Sequence, residues 1–372
     1  MSNGMVDWEL AAATARRLMR PGPEVTRSEA EAAVESLRRA AVEADGHVRR
    51  LTGMVAATSS DGTDDPNGSN GTVSGISVVD RPGWVDANTA GLSTLLGPLI
   101  ARMEAQRPQP AGRLAMALGP RVTGLQAGAV LAFLSGRVLG QFEVFASAEG
   151  RLLLVAPNVV EVERSLGVDP GDFRLWVCLH EVTHRTQFTA VPWLRDHLHE
   201  EIGELVEAID LDPVALRENL SHAAREVGNL VRGTGDRSSP GLFALVQSPR
   251  QRAVLDRLTG VMSLLEGHAE HVMDAVGPDV VPSVERIRER FTGRRRGSGP
   301  VDRLLRRLLG LDLKMRQYAD GRTFVSTVVS VVGMDGFNVV WTSPETLPTR
   351  AEIVAPLDWV ERVHGIRPAV SA

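Results

Sequence analysis

His180, Glu181 and His184 stand in the run "LWVCLHEVTHRTQF", Leu175 to Phe188. The chain carries nine histidines in 372 residues, so two of them four apart inside an apolar stretch ask for a reason. On an α-helix, four residues advance about 400°, which points both imidazoles the same way, one turn apart. Two rings so placed can share one tetrahedral Zn²⁺. Glu181, offset by about 100°, reaches the side of the metal where an activated water would stand. Its carboxylate can take that water's proton and later pass it to a leaving group. The residues read H-E-x-x-H, the zinc hydrolase pattern. Phe173, Trp176, Gln187 and Val191 project onto the same face, which sinks the pair in a mostly apolar surface. The plainer alternative is a pair of core histidines bonded to carbonyls.

Two histidines leave a catalytic zinc one protein ligand short. The metzincin extension would place glycine at 187 and histidine at 190; Gln187 and Ala190 exclude it. The best source is "LTGVMSLLEGHAEHVMDAVG", Leu258 to Gly277. In helical projection its apolar stripe runs through Leu258, Met262, Leu265, Ala269, Val272, Met273 and Val276, with Glu266 on the edge. A carboxylate beside a buried face needs a partner, and a zinc ion supplies one. Glu266 is therefore the expected third ligand, against an arginine-paired or solvent-reaching carboxylate. Glu270 is the expected acceptor for a ligand imidazole N–H. His268 and His271 project away from the stripe, and Gly267 would let another helix come close.

Other groups are weighed the same way. Tyr318, the one tyrosine, is a candidate to stabilise an oxyanion, against a structural or surface role. Arg185 projects away from the metal. His197 and His199 lie on different helix faces among Glu200, Glu201 and Glu204 and read as a solvated helix. Cys178 also points away from the metal and reads as a small buried residue.

The elements that must position these groups are mostly helical. Asp7 to Met19, Arg27 to Met54, Ala87 to Gln106, Leu125 to Val138 and a helix begun by Asp169-Pro170 show three- and four-residue apolar spacing or start signals. Further helices are expected at Trp193 to Ala208, Pro213 to Val231, Arg250 to Val276, Ser283 to Phe291, Val301 to Leu309, Asp312 to Val332 and Arg350 to Val363. The β-prone runs "QFEVFAS" and "RLLLVAP" flank the short "AEG" and predict a hairpin just upstream of the histidine segment. Phe337 and Trp341 read as core. The expected organisation is N-terminal helices over 1–56, a Gly/Ser/Asp-rich loop over 57–79, and one large domain over 80–372.

Bulk properties set the limits. Hydrophobic residues make up 43 % and charged residues 23 %, with net charge −5, values ordinary for a globular protein and unpromising for nucleic acid. One cysteine allows no intrachain disulfide. The first ten residues lack a basic and apolar leader, and the apolar run Leu125 to Gly140 is short for a bilayer. The expectation is a cytoplasmic protein without membrane or nucleic-acid partner; its oligomeric state is not legible.

The runs "LHEVTHRTQFTAVPWLRDHL" and "LLEGHAEHVMDAVGPDVVP", with "DRPGWVDANTAGL", "LGQFEVF" and "KMRQYADGRTFVSTVV" more loosely, resemble actinobacterial zincin-like proteins described as zinc-dependent metalloproteases or hydrolases. Some members carry a coenzyme F420 biosynthesis-associated label, which is an association and not an activity. The resemblance implies an α+β, predominantly helical zincin-like fold with a small β-sheet next to the HExxH helix. It implies zinc on His180 and His184, the base at Glu181 and, by the glutamate-zincin pattern, the third ligand at Glu266 across a helical insertion. A zinc metallopeptidase acting on a peptide is the expected function. The alternatives are a catalytically silent, zinc-stabilised structural or binding protein, and an amidase of cofactor metabolism acting on a small amide.

Overall fold

The computed structural model describes residues 5–55, 75–105, 113–147, 149–208, 249–296 and 311–366. The expected helices at Pro213 to Val231 and Val301 to Leu309, and the loop through 74, lie outside the described residues. The chain forms two compact units, Met1–Arg195 with His268–Arg294, and Asp196–Gly267 with Arg295–Ala372.

The first unit contains α1 (Trp8–Leu18), α2 (Arg27–Thr52), β1 (Ile76–Val79), α3 (Arg81–Ala105), α4 (Arg113–Ser135), β2 (Gly140–Glu143), β3 (Arg151–Val155), α5 (Ala156–Leu166) and α6 (Pro170–Ala190). Local chemistry accounts for several boundaries. Thr26 and Glu29 close a capping box on α2, and Gly53 ends it at φ 66°, a conformation that costs glycine least. Asp169 caps α6 by accepting from the Asp172 N–H at 3.0 Å, with Pro170 behind it, as its sequence predicts.

The three strands are ordered β1-β3-β2. β2 runs antiparallel to β3, pairing Gly140 with Leu154 and Glu143 with Arg151, which is the expected hairpin. β1 runs parallel to β3, Ile76 beside Leu152 and Val79 beside Val155. Sequence reading leaves Ile76–Val79 in the loop. Its partner is remote in the chain, and four residues carry too little pattern to announce a strand.

β3 is buried on both faces. Leu152 and Leu154 join a core made with Leu37, Ala41, Ala44 and Val48 of α2 and Phe173, Val177, Cys178, Leu179 and Val182 of α6. Leu153 and Val155 join a second core with Ala15 of α1, Trp84 and Val85 of α3 and Leu131 of α4. Helix α1 sits on glycines of α4: a Cβ on Gly124 would come 2.5 Å from the Asp7 carbonyl oxygen, and one on Gly128 2.5 Å from that of Ala11. The sheet therefore lies between α2 and α6 on one side and α1, α3 and α4 on the other, beside the histidine helix. This is the helical α+β class expected.

Next come α7 (Pro192–Glu207), α8 (Pro249–Val276) and α9 (Val284–Arg296). The end of α8 belongs to the first core through Val272, Met273 and Val276. The second unit adds α10 (Leu311–Phe337), two 3₁₀ turns (Asn338–Trp341 and Pro344–Thr346), α11 (Arg350–Val354) and α12 (Pro356–His364). Pro356 splits in two the single final helix expected from sequence. Phe324, Phe337 and Trp359 are fully buried. A Cβ on Gly267 would lie 2.2 Å from the Gly321 carbonyl carbon, and one on Gly321 2.0 Å from the Ser263 oxygen. Two helices meet there backbone to backbone, as the glycine at 267 suggests. Among the described residues, the segment Asp320–Trp341 is long and apolar enough to cross a membrane by length and composition. It is not one rod, because Gly333 at φ 74°, ψ 173° breaks the helix. The straight part before it rises about 20 Å, short of the roughly 30 Å hydrocarbon core.

Candidate metal centre

Helix α6 is pinned on the side opposite its histidines. Val177, Cys178, Leu179 and Val182 are at most 3 % exposed. Arg185 pairs with Asp45 of α2 at 3.1 Å, and the same carboxylate holds Arg49 at 2.8 Å. Burial lowers the Arg185 pKa, and the Asp45 charge works against that shift. This half-buried ion cluster faces α2, so Arg185 points away from the histidine pair as expected.

On the other side of α6 the His180 and His184 rings stand 4.6 Å apart, nearly perpendicular at 87°. Their Nε2 atoms are 3.1 Å apart. Zn–N bonds of about 2.0–2.1 Å at tetrahedral angles place neighbouring donors about 3.3 Å apart, so the two nitrogens are spaced like one edge of such a shell. Glu266 rides on α8, two residues before His268. Its carboxylate and the two imidazoles each offer one donor atom, all within 4.8 Å of one another. Two nitrogens and one carboxylate oxygen are a fitting set for zinc with a position left open. The residues singled out from the sequence as ligands are thus brought to one place, where they could hold a metal ion.

Glu181 is 7 % exposed and lies against the first residue of β2. A Cβ on Gly140 would come 2.6 Å from Glu181 Cγ and 2.7 Å from Cδ. Glycine at 140 is therefore what lets the carboxylate lie against the strand. Phe142, on the same face of β2, stacks on Phe188 of α6 with ring centroids 5.7 Å apart, fixing helix and strand together.

Two residues that sequence reading did not assign to the site are built into it. His184 Nδ1 is 3.0 Å from the Gln187 amide oxygen. The Gln187 amide nitrogen is 3.1 Å from His268 Nδ1. Gln187 and His268 are both fully buried. Desolvation, with the nearby His271 and His184, pushes the His268 pKa down to about 3 and keeps the ring neutral. This corrects the expectation that His268 points off the buried face. Helical projection credited only apolar side chains, whereas Ser263, Gly267 and His268 extend the buried surface of α8 well beyond that stripe. Conversely, Met262, placed in the stripe, is 39 % exposed. The signal that could have revealed Gln187 is its own position, three residues after His184 on the same face.

The remaining candidates fall as follows. Glu270 is half-buried one turn beyond Glu266, and His271 is half-buried beside it. Tyr318 lies on α10, but its side chain is outside the described residues. His199 is exposed, in keeping with a solvated helix face. Glu201 is not: it is 9 % exposed and accepts from Arg257 Nε at 2.7 and 2.9 Å. Cys178 is buried as expected, and burial followed by the Glu181 charge pushes its thiol pKa up.

Comparison with known proteins places the chain in a family. A family model described as zincin-like metallopeptidase matches residues 6–360. A solved structure from Chloroflexus aurantiacus, described as a presumed hydrolase with a novel fold, is 32 % identical, covers 96 % of this chain and 99 % of its own, and superposes with a TM-score of 0.66. No curated protein matches.

Proposed function

Because this chain belongs to the zincin-like metallopeptidase family, we propose that it is a zinc-dependent hydrolase of peptidase type. His180, His184 and Glu266 hold the metal and Glu181 is the general base. The observation that carries the reading is the convergence of two imidazoles and one carboxylate from separate helices within 4.8 Å.

Zinc held there would supply Lewis acidity for polarising a carbonyl and activating water. The chain's own groups divide the remaining work. Glu181, fixed between α6 and the start of β2, takes a proton from the attacking water and returns it to the departing amine nitrogen. The buried neighbours of His180 and His184 on α6 fix the helix that carries both rings. β2 is an edge strand of the sheet, and an edge offers main-chain donors and acceptors to an extended polypeptide. That favours a peptide over a small amide as substrate.

The test begins with zinc stoichiometry by elemental analysis, followed by wild type and Glu181→Gln on a peptide library and a small-amide screen. Metal-dependent cleavage of peptides, lost in Glu181→Gln, is the expected result. Wild type that takes up no zinc on reconstitution ends the reading. Zinc binding with equal inactivity of both proteins would instead leave a silent, metal-stabilised fold.

A further inference from the structure

We infer that Gln187 and His268 act as an orienting relay behind the metal site. His268 holds the NH₂ end of the Gln187 amide, which leaves the amide oxygen to His184 and favours the tautomer in which His184 presents an unprotonated Nε2 to the metal. The inference rests on the metal-site reading above and names two positioning residues for it.

The argument follows the polarity of three groups in contact. The Gln187 amide oxygen can only accept, and it lies 3.0 Å from His184 Nδ1, so that nitrogen carries the proton. In a neutral imidazole the other nitrogen is then unprotonated. That nitrogen, Nε2, is the atom 3.1 Å from His180 Nε2 in the donor cluster. At its other end the Gln187 amide can only donate, and it lies 3.1 Å from His268 Nδ1, which accepts in the tautomer protonated on Nε2.

Turning the amide over reverses both contacts. Its NH₂ would then face His184 Nδ1, and that ring could satisfy it only by moving its proton to Nε2, where no lone pair would remain for a metal. The two ends of a glutamine amide are nearly the same shape, so packing alone does not choose between them. We take His268 as protonated on Nε2, in which state its Nδ1 bonds only the NH₂ end of the amide. Gln187 and His268 are both 0 % exposed, so no bulk water can substitute for either contact. A buried donor left without a partner is costly, which makes the choice firm.

The relay makes a prediction that simple packing does not. Replacing His268 by leucine removes the acceptor, and zinc affinity by chelator competition should fall about 10- to 100-fold, as is usual for loss of a group that supports a metal ligand. In the Gln187→Glu background the leucine replacement should matter little, because a carboxylate accepts at both ends and needs no orienting. Loss of equal size in both backgrounds overturns the relay. A readout needing neither metal nor variant is the ¹⁵N spectrum of metal-free wild type, where His184 should be the Nδ1–H tautomer. An Nε2–H tautomer there sinks the inference. Failure of wild type to bind zinc would sink the metal-site reading instead, and the tautomer measurement keeps the two outcomes distinct.

Discussion

The sharpest consequence of the site's geometry concerns a residue with no reactive atom. Gly140 has an ordinary negative-φ backbone, being absent from the positive-φ glycines, so alanine can adopt its conformation. The obstacle is space. The new methyl would stand 2.6 Å from Glu181 Cγ, 2.7 Å from Cδ and 3.0 Å from Oε1, against 3.4 Å for ordinary contact. The Glu181 side chain must therefore retreat by about 0.8 Å, the distance needed to restore normal packing. A misplacement of about 1 Å in a catalytic group costs about 10²-fold, equivalent to about 2.7 kcal/mol of barrier. Gly140→Ala should thus lower kcat/KM on a cleaved peptide by roughly two orders of magnitude. Zinc content should be unchanged, because the methyl approaches Glu181 and not the metal-binding side chains. The assay is steady-state cleavage beside elemental analysis and thermal unfolding of the same preparation. Full zinc occupancy with undiminished kcat/KM would refute both the seating of Glu181 against β2 and its role as base.

Glu181→Gln should retain zinc while kcat falls by about 10²- to 10⁴-fold, the usual worth of a general base; steady-state kinetics with metal analysis checks it. Gly267→Ala sets a Cβ 2.2 Å from the Gly321 backbone, where no side chain can yield, and should destabilise by at least about 1–3 kcal/mol, read from a urea midpoint. Chelation of a zinc-loaded preparation should lower the melting temperature, since a ligand bound by the folded state alone stabilises it. Glu352 supplies the pH prediction. Burial by itself would raise its carboxyl pKa, but Arg362 and the Thr349 cap outweigh burial and hold it below the ordinary value. A depressed folded-state pKa gives stability that is present above the unfolded value of about 4.3 and lost as pH falls through the lower folded value. Glu352→Gln should flatten that acid limb in urea midpoints measured against pH.

How far the chain can be read without coordinates depends on how local each signal is. His180 and His184 are legible because helix pitch alone brings them together, and Asp169-Pro170 because a cap is a contact between near neighbours. Glu266 is legible at one remove: a carboxylate at the edge of an apolar stripe announces that something compensates it. Gln187, His268 and Gly140 are of another kind. Gly140 and His268 each take their role from a residue on a different element, Gln187 needs His268 as well as its own helix neighbour His184, and their types are ordinary for a helix face or a strand end. β1 is invisible for a related reason, since its pairing with Leu152 to Val155 is settled by chain topology and not by the composition of four residues.

The middle strand has a consequence of its own. Leu152, Leu153, Leu154 and Val155 are all 0 % exposed, so nothing in their polarity distinguishes a correct alignment from one shifted by a residue. Alternation normally supplies that discrimination, and here it is missing. The alignment must instead be anchored at the strand's extremities, where the Leu152 N–H meets the Gly75 oxygen and the Val155 N–H meets the Leu139 oxygen, each at 2.8 Å. A slip of one position would carry Gly140 about 3.4 Å along the ladder and remove the notch in which Glu181 rests. Folding fidelity at two peptide groups thus decides whether a finished molecule seats Glu181 against its strand.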